Sequence, residues 1–112
     1  MKKLLFFILF NYNLYAEDFK ELLFNGNCTT CHFINKAVSA PSIVSIQKVY
    51  KKAFPKKEDF IEYMSTWVKH PNKEGSLMLY NIEKYELMPE LGFEKEVLYD
   101  ITEYIYNLKI TI

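Results

Sequence analysis

Arginine is absent from this 112-residue chain: all 14 basic residues are lysine, set against 14 acids. With no guanidinium group and no excess of positive charge, the chain lacks the electrostatic footprint of a general nucleic-acid binder. Cysteine is nearly absent too. Cys28 and Cys31 are the only two, which excludes a network of disulfides. No second Cys-x-x-Cys or His-x-His completes a four-ligand zinc site, for which only His70 and carboxylates remain. No segment alternates apolar and polar residues as a half-buried strand does, and no repeat or low-complexity stretch interrupts the chain. The apolar run Leu4 to Phe10 falls well short of the ~20 residues that a bilayer span requires.

What is present is concentrated in Cys28-Thr29-Thr30-Cys31-His32. Cys-x-x-Cys-His is the attachment sequence for c-type haem. Two thiols three residues apart reach the two vinyl groups of one porphyrin to form thioethers, and the next imidazole faces the iron. His32 is therefore the expected proximal ligand, and one covalent haem accounts for both sulfurs. The competing reading is a redox dithiol, which normally opens a helix after a strand in an α/β domain. No strand-period segment precedes Cys28.

The N-terminus adds an independent signal. Met1-Lys2-Lys3 is basic, Leu4 to Phe10 is apolar, and Asn11 to Ala16 is a more polar stretch ending in a small residue. That order reads as a secretory signal peptide over residues 1–16, cut after Ala16, although Leu14 is bulkier than cleavage sites prefer; an uncleaved anchor is the alternative. Export agrees with the motif, because thioether attachment of haem is completed outside the cytoplasm in bacteria. The remaining residues 17–112 form one small domain, and a chain of this size benefits from a large apolar centre. It carries twelve lysines against fourteen acids, a net charge of about −2. Lys48, Lys51, Lys52, Lys56 and Lys57 cluster, while Glu83 to Glu103 is acidic apart from Lys84 and Lys95. Such a dipole could orient the molecule towards a charged partner, or simply mark two solvated faces.

The periodic stretches are helical. Phe19, Leu22, Leu23 and Phe24 make a stripe with Asn25-Gly26 as its stop. Ile43, Ile46, Val49 and Tyr50 share a face of a second helix, broken by Phe54-Pro55. Glu58 and Asp59 suit the start of a third, whose buried face is Phe60, Ile61, Met64, Trp67 and Val68 and which Pro71 closes. A turn or short helix is expected around Leu77 to Ile82, then a loop through Met88-Pro89. Val97, Leu98, Ile101, Tyr104, Ile105 and Leu108 describe a C-terminal helix of about four turns. The fold class is all-α.

Haem iron that transfers electrons is commonly six-coordinate, so a distal ligand is expected from Met64, Met78, Met88 or His70. Met64 and Met78 sit in apolar surroundings that suit a core. Met88 precedes Pro89, which restricts it to extended backbone and so holds it in a loop able to present its sulfur to iron. Met88 is the favoured ligand, by the logic of His/Met ligation. His70 is the rival; at a helix end beside Pro71 it otherwise suits a surface role near the helix dipole.

With these elements in order the chain resembles a class I cytochrome c of the small bacterial monohaem type. The resemblance covers Glu17 to Leu108 and rests on Cys28, Cys31 and His32, on Pro41, on Trp67 to Pro71, on Met88-Pro89 and on Tyr104-Ile105. It implies a cytochrome c fold, with N- and C-terminal helices packed around one covalent haem. It further implies that the Pro41 carbonyl accepts a hydrogen bond from the His32 ring, and that Phe24 packs on the C-terminal helix at Ile101 and Tyr104. Trp67 would donate to a haem propionate, with Tyr50 a weaker candidate for the same carboxylates. Two features depart from the pattern: Ala40 stands where many relatives have Gly, and no Arg is available to the propionates, which leaves Lys, Trp or Tyr.

Two axial ligands leave no open position for a substrate, which suits outer-sphere electron transfer rather than enzymatic turnover. The expected protein is a monomeric, periplasmic one-electron carrier between redox partner proteins of a respiratory chain, with no stable membrane insertion after cleavage. The alternatives are a haem subunit bound permanently to a larger oxidoreductase, or a haem-based sensor or peroxidase with open coordination.

Overall fold

The computed structural model describes residues 18–110, and the leader expected over residues 1–16 lies outside the described residues. Among the described residues all regular structure is helical, with no strand: α1 (18–27), α2 (Ile43–Ala53), α3 (Lys57–Lys69), α4 (Leu79–Tyr85) and α5 (Lys95–Asn107). None of these helices is long and apolar enough to cross a membrane.

Each boundary has a local cause. Ser42 caps α2 by accepting from the Ser45 backbone N–H at 3.1 Å, satisfying one of the donors that a helix start leaves free. Phe54 ends α2 because the residue before Pro55 is held out of the helical region, and its own N–H still closes on Tyr50. Glu58 and Asp59 occupy the first turn of α3, where negative charge meets the positive end of the helix dipole. His70 is the C-terminal cap of that helix, directly before Pro71. Gly26, in contrast, does not stop α1; the helix runs through residue 27 without a left-handed residue.

Packing is led by α3 against α5, with α2 lying against both. The core consists of Phe24, Ile43, Tyr50, Phe60, Met64, Ile101 and Ile105. Phe24 on α1 meets Tyr104 on α5 with ring centroids 5.0 Å apart and tilted. Burying two phenylalanines such as Phe24 and Phe60 contributes roughly 1.5–3 kcal/mol each.

The face of α1 differs from expectation. Phe19 and Leu22 are exposed, at 56% and 68%, and Phe24 is buried. The helix is rotated so that Lys20 and Leu23 flank Phe24 at helical spacing, and Lys20 Nζ sits 2.7 Å from Glu103 on α5. A lysine stem can line an apolar seam while its ammonium finds a carboxylate, so an apolar stripe alone misjudged the register. On α2 the buried set includes Gln47, absent from the expected stripe. Its Nε2 donates to the Ile105 and Leu108 carbonyls at 2.8 and 2.7 Å, which caps the end of α5 with a side chain from another helix.

Candidate functional site

The end of α1 sets the motif. The Cys28 N–H bonds the Phe24 carbonyl at 2.9 Å and the His32 N–H bonds the Cys28 carbonyl at 2.8 Å, so the chain winds one more turn beyond the helix. That turn brings Cys28, Cys31 and His32 to the wall of one cavity. Residues 33–41 then run irregularly and are tied back by bonds from Ile43 N–H to the Phe33 carbonyl and from Val44 N–H to the Ile34 carbonyl, at 2.9 and 3.1 Å. They return Pro41 to His32. The His32 Nδ1 lies 2.8 Å from the Pro41 carbonyl oxygen. A carbonyl only accepts, so the bond requires the proton on Nδ1 and leaves the Nε2 lone pair available as a ligand. This is the contact that the resemblance implies.

The cavity has a volume of about 260 Å³, and all the expected site residues border it: Cys28, Cys31, His32, Pro41, Tyr50, Trp67 and Met88. Its floor is the helical core, including Ile43, Met64 and Ile101. Met64 and Met78, which the sequence suits to core positions, border the same space. Met64 is buried on α3 and Met78 packs against the core at the start of α4. Met88 stands in the loop after α4, half-buried, ahead of Pro89. His70 is not at the cavity: its side chain is 70% exposed and its Nδ1 lies 2.6 Å from Glu90 Oε1.

Two side chains differ from their expected parts. The Trp67 indole N–H donates to the Asn72 carbonyl at 2.9 Å, so the donor assigned to a propionate is engaged within the polypeptide. Tyr50 is 5% exposed, meets Phe60 edge-on at 5.8 Å and borders the cavity. Burial, reinforced by Tyr63, drives its ionisation upwards, which keeps the hydroxyl a neutral donor. Tyr50 is thus better placed than Trp67 to meet a carboxylate. Among the described residues no lysine borders the cavity, and Glu86 is the carboxylate that does.

The chemistry of the thiols separates the readings of Cys-x-x-Cys. Burial pushes the Cys28 thiol up to about 11, and the residue follows the C-terminal end of a helix, where the dipole disfavours a thiolate. Attacking thiols of redox pairs have lowered values and sit at helix N-termini. Among the described residues no three His, Cys, Asp or Glu side chains gather as a metal site. A haem iron needs only two axial donors from protein, and an imidazole with a free Nε2 and a loop thioether form a set that fits. No family model, curated protein or solved structure matches this chain.

Proposed function

We propose that this chain is an exported monohaem c-type cytochrome that carries single electrons between redox partner proteins. One observation carries the reading. His32, its Nδ1 held by the Pro41 carbonyl, borders the same largely apolar cavity as both thiols and Met88. When bound, haem supplies reversible one-electron chemistry at its iron. The chain's residues then have separate tasks. Cys28 and Cys31 would hold the group covalently, His32 Nε2 and the Met88 sulfur would be the protein donors to its iron, and the core floor would keep water away. The Pro41 carbonyl orients the imidazole and raises its basicity. A histidine and a thioether as donors would favour ferrous iron and a raised potential, and two protein donors would suit electron transfer rather than substrate turnover. The leader over residues 1–16 supports a periplasmic location.

A specific observation keeps a second reading in view. Val38, Leu79, Tyr80 and Leu91 are exposed at 61%, 48%, 72% and 52%, and such apolar side chains would suit a haem subunit docked permanently on a larger oxidoreductase.

The decisive test is chemical. Denatured protein from a host that matures c-type cytochromes should keep its colour through acid-acetone extraction, with one haem per chain. Haem released into the organic phase would sink the proposal.

A further inference from the structure

We infer that Lys69 is a positioning residue for the Met88 sulfur, acting through the loop on which Met88 stands. This rests on the axial-ligand reading above.

Between Tyr85 and Lys95 the chain adopts no regular structure. It leaves α4 through Glu86, whose φ of 74° and ψ of 167° lie in a region nearly confined to glycine. A second reversal at Gly92, φ 72°, costs little because glycine has no Cβ. The loop has hardly any core of its own: Leu87 and Leu91 are exposed, and Met88 is only half-buried. A strained segment with few buried contacts opens easily.

What ties it down comes from the end of α3. Lys69 Nζ donates to the Phe93 carbonyl at 2.8 Å, and His70 meets Glu90 at 2.6 Å. The second pair is open to water on both sides, where ion pairs contribute little. Lys69 is half-buried, and a charged donor on a carbonyl is among the stronger hydrogen bonds. Met88 lies between the strained residue and both ties. The other end of α3 is fixed in the core by Phe60 and Met64, so Lys69 references the loop to the rigid part of the molecule.

The test uses ferric and ferrous holoprotein. In Lys69→Leu the weak far-red sulfur-to-iron band should disappear on warming at a lower temperature than in wild type. Carbon monoxide should bind the ferrous form about tenfold more tightly, which corresponds to about 1.4 kcal/mol less holding the loop closed. The far-ultraviolet helix signal should be unchanged, and Lys69→Arg should restore both readouts. Backbone amides over 86–94 should exchange faster than those of α3 in wild type. Unchanged band and carbon monoxide affinity in Lys69→Leu, equal losses in Lys69→Arg, a fall in helix signal, or protection of 86–94 equal to that of α3 would each overturn the inference. A band that survives in Met88→Ala would instead defeat the ligand assignment, and the role of Lys69 with it.

Discussion

At the scale of single residues, the site divides into groups whose roles are local and groups whose partners are remote. That Cys28, Cys31 and His32 border one space was legible because they lie within five consecutive residues. That Met88 stands in a loop was legible because proline restricts the backbone of the residue before it; the haem chemistry of all four is our proposal. Replacing Met88 by alanine should lower the reduction potential, abolish the far-red band and admit carbon monoxide to the ferrous iron. Met78→Ala should leave the band in place at room temperature, and optical spectra of the two variants decide between them. The fate of the Trp67 N–H was not legible: its acceptor is the Asn72 carbonyl, a group whose direction depends on how residues 70–76 turn after Pro71.

At the scale of elements, helical periodicity located α2, α3 and α5 well, because each has one face in the core. It misplaced the face of α1, where a lysine shares the seam, and it gave no hint of Gln47, whose glutamine pattern reads as polar surface until the end of α5 arrives to be capped. The α1–α5 junction has a testable pH dependence. Glu103 is held below the usual carboxylate range by its hydrogen bond to Lys20, against some opposition from burial and with smaller help from the charges of Lys20 and Lys57. A carboxyl whose value is depressed on folding stabilises above its unfolded value and loses that contribution as pH falls through the folded one. Stability should therefore decline on acidification below about pH 4, and Glu103→Gln should flatten that limb. The side chain is 32% exposed, so the effect at neutral pH should be under about 1 kcal/mol, read as a small shift of the denaturation midpoint.

At the scale of the whole molecule, charge is distributed unevenly about the site. Among the described residues Glu86 borders the cavity and no lysine does, while Lys48, Lys51, Lys52 and Lys56 are exposed along and just beyond α2. Small inorganic redox reagents can report this. At low ionic strength the ferrous holoprotein should react faster with a cationic oxidant than with an anionic one of matched driving force, and added salt should narrow the gap as screening shortens below ~10 Å. Equal rates at low salt would show that the exposed edge feels no local field.

The bond from Lys20 to Glu103 joins positions 83 apart in the chain, and Phe24 lies on Tyr104 beside it. During synthesis, then, the stretch that carries both thiols and the imidazole emerges long before the helix that will cover its neighbour. A fragment that stops short of residue 104 cannot bury Phe24 under Tyr104. Closing so wide a loop is slow, since its entropy must be lost before any contact repays it. The newborn chain is therefore left open around residues 28–32 until α5 has been made, so that any reagent acting on Cys28 or Cys31 in that interval meets extended polypeptide and not a finished domain.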